Sequence, residues 1–483
     1  MTHPEPPLSQ LAQRLSADLA LLELPARPWL KESAPDYDVI IVGAGLCGLT
    51  AAAALTLAGV TRILCLDKAP AGQEGPWITS ARMDDLRTRK EAAGPALGIP
   101  SLTFRAWYEA QYGTSAYQAM ARIPRALWMA YLTWYRTVLN LPVRNHAPVT
   151  RVEPGQQGWV EVDIATAQGK QQLRARRVVL ATGIDGLGGP TLPPVARQIP
   201  ARYIAHSADI IPPTQVAGKR VAVVGSGASA MDNAAFALEN GAERVDIFYR
   251  RTTLPRIDKF TGIGHQGLTL GYVHLPDETK WQLMLAGEHA QIPPPRHSVQ
   301  RVTKHANVAF HRASPLTSLR EQDEAIALQT PHGQFHVDFI IFATGFRVDF
   351  QARPEFASFA NTICQWRDRY HPAADQQHDG LASAPYLGKH FELLPKPGVD
   401  AEPATISTLY CFAFPAVLSH GKLTSGIPSI AEGAQRLTRG IVSSLLREDR
   451  AELLARFQAY DTPELLGDEW QETAPFSALP LAP

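Results

Sequence analysis

The chain twice spells a β-branched strand that runs into a glycine turn and a helix. The stretches are "VIIVGAGLCGLTAA" (Val39–Ala52) and "RVAVVGSGASAMDNAA" (Arg220–Ala235). Each reads as the first half of a βαβ unit, and that unit restricts the fold to layered α/β architectures with parallel strands. The first loop has Gly43, Gly45 and Gly48 in G-x-G-x-x-G spacing. The first glycine permits the tight turn, the second lets a pyrophosphate approach the backbone, and the third lets helix and strand pack closely. The helix N-terminus then offers free N–H groups and a positive dipole end to the anion. The motif alone is weak, but here it lies between a strand and an Ala-rich helix. Asp67, followed by Lys68, closes the next strand where a ribose hydroxyl needs an acceptor.

The second loop carries Gly225, Ser226, Gly227, Ala228 and Ser229, with Ala230 as the third small residue. Its next strand, "RVDIFYRRTTLP", has Arg250 and Arg251 where the first unit has an acid. Guanidinium groups there suit a 2′-phosphate, so the second ligand is expected to be NADPH rather than NADH. Two nucleotide sites of different character imply two cofactors, and the simplest chemistry is a hydride passed from NADPH to a bound flavin.

Composition narrows the partners. Lys plus Arg and Asp plus Glu both number 46, a formal net charge of zero, which gives no reason to expect nucleic acid or an anionic membrane. The N-terminal residues lack a basic region followed by an apolar core, and no apolar run approaches the roughly 20 residues that span a bilayer. A soluble, cytoplasmic protein is expected. The four cysteines form no C-x-x-C pair, which disfavours a disulfide reductase. The fifteen histidines show no H-E-x-x-H spacing, so no metal site is expected, and there is no G-x-S-x-G nucleophile elbow.

Periodicity places the other elements. Leu8, Leu11, Leu15, Leu19 and Leu22 suggest an N-terminal amphipathic helix that docks on the first domain. A helix is predicted over 125–139, with Trp128, Tyr131, Leu132, Tyr135 and Leu139 on one face as core or, less simply, as a substrate wall. Alternation over 147–180 suggests a β-meander ending in "VVLATG", and "IIFATGF" gives a second strand and turn at 340–346. Helices are expected from about 428. An insert over 260–295 either covers a pocket or is decorative.

The two loops in this order, "LATG", "FATGF" and "IPRALWMAYLTWYR" resemble the single-chain flavoprotein monooxygenases that use FAD and NADPH. That group includes the dimethylaniline-type, Baeyer–Villiger and N-hydroxylating enzymes, and the resemblance covers about 36–445. It implies an α/β fold of two Rossmann-like dinucleotide-binding domains, the NADPH domain inserted in a split FAD domain. The implied divisions are a helical arm (1–36), a leading FAD-domain segment (37–205), an NADPH domain (206–344) and a closing FAD-domain segment with C-terminal helices (345–483).

The resemblance also assigns residues. Trp77 would lie beside the isoalloxazine, unless it is a core aromatic. Val149, Thr182 and Gly183 would line the FAD site, and Thr344 and Gly345 would lie on the nicotinamide side. Ser425, Gly426 and Ile427, in "SHGKLTSGIPSI", would bring backbone N–H groups to the flavin. "ARMD" is similar to the A-R-x-D of Baeyer–Villiger enzymes and nominates Arg82 and Asp84, with Arg296 as the arginine that Asp84 holds. Arg87 or Arg89 stands where the heteroatom-oxidising branch has Asn. The linker fingerprint keeps His206, as a hinge or an ordinary surface residue, but has Pro200 and Arg202 for its Phe and Gly.

The implied reaction is reduction of FAD by NADPH. O2 then forms a C4a-(hydro)peroxyflavin that inserts one oxygen into a small organic substrate, by N/S oxygenation or by carbonyl oxidation. The alternative is an NADPH-flavin reductase or oxidase that passes electrons to a partner or to O2. A nucleotide-binding sensor that kept the fold is the non-enzyme reading.

Overall fold

The computed structural model describes residues 7–31, 35–155, 158–399, 403–424 and 426–472. The chain divides into two compact units, Met1–Ile441 and Val442–Pro483. The first contains both glycine loops, each on the parallel part of its own sheet.

The first sheet is built on β1 (Tyr37–Val42), whose residues from Val39 to Val42 are all buried. It includes β2 (Ile63–Leu66), β3 (Val143–Arg144), β4 (Val149–Pro154), β5 (Val160–Thr166) and β6 (Gly169–Leu180) in the order β3-β2-β1-β6-β5-β4. In β6, "GKQQLRARRVVL", the polar first third is exposed and pairs antiparallel with β5. The apolar end is buried and pairs parallel with β1. This one strand therefore carries the expected 147–180 meander into the parallel sheet.

Between the sheets in sequence lie the short strands β7 (Gly188–Pro190) and β8 (Ile204–His206). The second sheet centres on β9 (Arg220–Val224), with β10 (Arg244–Phe248), β11 (Val308–His311) and a later strand. An antiparallel trio follows: β12 (Ser318–Gln322), β13 (Ala325–Thr330) and β14 (Gly333–Val337). The later strand is β15 (Phe339–Phe342), and all strands of the order β11-β10-β9-β15-β8 are parallel. β16 (Phe346–Val348) pairs with β7, and β17 (Leu409–Cys411) joins β6 in the first sheet.

Both glycine turns leave the carboxyl ends of central strands, β1 and β9. Each has its next strand on one side and a later strand on the other. That is the switch point where open α/β sheets bind ligands. The helices that follow, Leu46–Leu57 and Ala228–Glu239, each bury eight residues, and small side chains let them lie close on their sheets.

The helix Arg125–Val138 buries Trp128, Met129, Tyr131, Leu132 and Tyr135. Its aromatic stripe packs with Phe104 and Trp107, so it is core rather than pocket wall. The N-terminal helix Pro7–Leu21 buries Leu11 and Leu15 and meets the helix Phe104–Tyr112, whereas Leu22 is exposed beyond its end. In the second unit, the helix Arg450–Ala459 buries no side chain. No described helix is long and apolar enough to cross a membrane.

Candidate active site

Both glycine loops open on one cavity of about 1820 Å³. Single small-ligand pockets run to about 1,000 Å³, so this volume suits more than one ligand. Gly43, Gly45, Asp67, Lys68, Trp77, Val149, Thr182 and Gly183 border it from the first sheet's side. Gly225, Ser226, Gly227, Ser229, Arg250, Arg251, Thr344 and Gly345 border it from the second, and Gly426 and Ile427 complete it. Ser425 lies outside the described residues. Gly48 and Ala228 are not at the cavity surface.

The first loop is as tight as its glycines imply. Gly43 has φ +104°, and a Cβ there would stand 2.4 Å from the Ala181 oxygen. A Cβ on Gly48 would fall 1.8 Å from the Gly43 oxygen. Gly45 caps its helix with no side-chain hydrogen bond, leaving first-turn N–H groups free for a ligand. The Asp67 carboxylate accepts the Ala44 N–H at 2.7 Å and the Ala69 N–H at 2.8 Å, which fixes both oxygens at the cavity edge. Trp77 sets its edge against Trp128 at 6.2 Å, and its buried indole N–H has no hydrogen-bond partner among the described residues.

The second loop repeats the plan. A Cβ on Gly225 would meet the Ala343 oxygen at 2.5 Å, whereas one on Gly227 would meet nothing within 4 Å. Arg250 is exposed and makes no ion pair among the described residues. Arg251 donates to the His289 carbonyl of the insert at 2.6 Å. Asp232 and Asn233, on the following helix, line the cavity, and each has a buried side-chain oxygen without a hydrogen-bond partner among the described residues. Thr344 donates through its hydroxyl to the Thr191 carbonyl. His206 is buried, not a surface residue. Its Nδ1 accepts the Ala208 N–H, and burial holds its pKa below the ordinary histidine value.

The nominated catalytic group does not assemble as expected. Asp84 pairs with Arg301 at 3.0 Å, not with Arg296. Arg296 opens the helix Arg296–Thr303 and is exposed. Five residues at about 100° each turn Arg301 some 140° away from it, toward the helix Ala228–Glu239. There Arg301 also pairs with Glu239 at 2.6 Å and donates to the Arg82 carbonyl. Neither Asp84 nor Arg296 borders the cavity. Arg82 does, but its N–H groups bind the carbonyls of Ser80, Ser207 and Asp209, and its guanidinium lies over Phe236. Burial, with Arg125 nearby, lowers Arg82 to about 10. These contacts make Asp84, Arg301 and Arg82 a clasp between the segment after Trp77 and the second sheet's elements.

The 260–295 insert is not decorative. Phe260, Met284, Gly287 and Ile292 border the cavity, and no sequence motif announces them. Arg301 and Lys422 carry no sequence signal either, because a lone basic residue has no positional meaning until the fold places it. The four cysteines are free thiols. Burial pushes Cys65 and Cys411 up to about 12, and Cys47 donates to the Thr424 carbonyl at 3.6 Å, so no thiolate pair is at hand for disulfide chemistry. No group of three or more described His, Cys, Asp or Glu residues could hold a metal ion.

The residues present fit FAD and NADPH. Two helix N-termini without side-chain caps face one cavity, an acid edges one and two arginines the other, and the Trp77, Asp232 and Asn233 atoms that lack a partner among the described residues are buried beside it.

Comparison with known proteins agrees. The family description "Pyridine nucleotide-disulphide oxidoreductase" matches residues 40–261. The FAD-dependent urate hydroxylase of Xanthomonas campestris pv. campestris is 38% identical over 470 residues, 96% of this chain and 98% of that one. Among solved structures, the ornithine N-hydroxylase of Kutzneria sp. 744 superposes with a TM-score of 0.66 at 17% identity. It covers 86% of this chain and 100% of its own. L-lysine 6-monooxygenase from Pseudomonas syringae gives 0.64 at 18% identity, covering 85% and 99%. The flavin-containing monooxygenase of Stenotrophomonas maltophilia gives 0.55 at 20%, covering 84% and 98%. At these identities the structures speak for the fold, and the hydroxylase, matched along nearly its whole length, for the family. The chain belongs to the single-chain flavoprotein monooxygenases, oxidoreductases that use FAD and NADPH to put one atom of dioxygen into a small organic molecule.

Proposed function

We propose that this chain hydroxylates urate or a closely similar oxopurine. The observation that carries the reading is the 38% identity to a urate hydroxylase across almost the full length of both chains. Bound FAD would take two electrons from NADPH and hand them to O2, one oxygen atom entering the substrate and the other leaving as water.

The chain's residues have these roles. The N–H groups opening the helix Leu46–Leu57 hold the FAD pyrophosphate. Asp67, oriented by the Ala44 and Ala69 N–H groups, keeps lone pairs for the ribose hydroxyls. Gly227 and the helix it opens hold the NADPH pyrophosphate, with Arg250 and Arg251 on the 2′-phosphate. Trp77, Thr182, Gly183, Gly426 and Ile427 bound the flavin, and Thr344 and Gly345 the nicotinamide side. Phe260, Met284 and Ile292 exclude water from the substrate's side of the cavity. The FAD domain then comprises 37–205 and 345–483, and the NADPH domain 206–344. Four free thiols and a need for NADPH suit the cytoplasm.

The test is steady-state oxidation of NADPH by flavin-loaded protein. Urate should raise the rate and be consumed with it, while ornithine and lysine should not. Equal NADPH oxidation with and without urate, and unchanged urate, would sink the reading.

A further inference from the structure

The cavity has a wall that belongs to neither nucleotide loop. Phe260, Met284 and Val417 border it and pack in one apolar cluster with the buried Trp281 and Trp366. Phe260 is seated on Gly287, where a Cβ would come within 2.6 Å of the ring. Lys422 reaches this wall with its ammonium 3.7 Å from the Phe260 ring centroid, a cation–π contact.

Among the described residues, that ammonium makes no hydrogen bond or ion pair, and Asp258 acts on it only at longer range. Burial lowers its pKa. A half-buried cation with no counter-charge in direct contact costs free energy unless something else completes it. The phosphates have their own donors at the glycine loops and Arg250. A single ammonium on an apolar wall instead suits a small ring system with delocalised negative charge.

We propose that Lys422 is a specificity-determining residue that binds the anionic edge of a planar substrate, held in position by Phe260. The naming of that substrate as urate, an anion at neutral pH, rests on the function proposed above. The charge and shape of the ligand rest on Lys422 and its wall.

The test is equilibrium dialysis of flavin-loaded wild type, Lys422→Gln and Lys422→Arg against urate and against orotate, a second planar anion, with bound FAD per chain measured in each. A charge-assisted hydrogen bond lost in Lys422→Gln should raise Kd about tenfold to 150-fold. FAD should stay bound, and Lys422→Arg should recover most of the affinity. Lysine-dependent binding of orotate by a protein that takes no urate would overturn the urate reading and support this one. Four results would overturn the proposal: wild-type affinity in Lys422→Gln, loss of FAD from it, an equal loss in the Gln and Arg variants, or a wild type that binds neither anion.

Discussion

Arg250→Ala tests the second loop's assignment with little collateral damage. Arg250 is exposed at the cavity edge and has no ion pair among the described residues, so its removal should leave stability within about 0.5 kcal/mol. Its proposed partner is the 2′-phosphate that NADPH has and NADH lacks. A hydrogen bond to a charged group is worth about 1.5–3 kcal/mol, and every 1.4 kcal/mol is about tenfold. The variant should therefore lose roughly tenfold to 150-fold in its second-order rate of flavin reduction by NADPH. The rate with NADH should stay within about twofold, since no phosphate contact is lost. Anaerobic rapid mixing with each nucleotide reads this without any substrate. Arg251→Ala is the contrast, because it also frees the insert at His289 and should disturb both nucleotides. An equal loss with NADPH and NADH in Arg250→Ala, or no loss with either, would refute the assignment.

Other substitutions separate structural roles from chemical ones. Asp84→Ala breaks a pair whose carboxylate is 63% exposed, worth at most about 1 kcal/mol, and should change the turnover rate less than about threefold. A loss of a hundredfold would return Asp84 to the reacting centre. Gly287→Ala places a Cβ 2.6 Å from Phe260 and should cost about 1–3 kcal/mol in displaced packing. The expected readout is weaker urate binding with normal FAD content, and an unchanged urate Kd would contradict the wall described here. His420 is buried, stacked on Phe391 at 3.8 Å and bonded to the Gly388 carbonyl, and burial with Arg436 nearby holds its pKa well below 6.5. Above pH 6.5 it is neutral folded or unfolded. Below that only the unfolded chain takes the proton, so stability falls by up to about 1.4 kcal/mol per pH unit. His206 and His297, also lowered, add to the slope. Urea melts from pH 7 to 5.5 should show a flatter slope for His420→Gln, and an unchanged slope would refute the role.

The features legible in the sequence are those fixed by local chain geometry. A glycine that must clear a carbonyl at 2.4 Å, as Gly43 must, writes itself into the local pattern, and so do Asp67 and Arg250 at strand ends. The aromatic stripe of 125–138 is readable as core because helical periodicity alone puts it on one face. The pairing of Asp84 with Arg296 fails for the opposite reason. It depends on which face of a distant helix turns inward, and the helix Arg296–Thr303 turns Arg301 toward Asp84. Lys422 is silent because its meaning comes from Phe260, 162 positions away in the chain, and from the glycine that seats that ring.

The most direct test of oxygen insertion is a single turnover under ¹⁸O2. Flavin-loaded protein is supplied with one equivalent of NADPH and with urate, and the product is analysed by mass spectrometry. A monooxygenase with both cofactors in one shielded cavity gives a urate product carrying one ¹⁸O atom per NADPH consumed, and little hydrogen peroxide. Unlabelled urate with one equivalent of hydrogen peroxide per NADPH would contradict it and make the chain an NADPH oxidase.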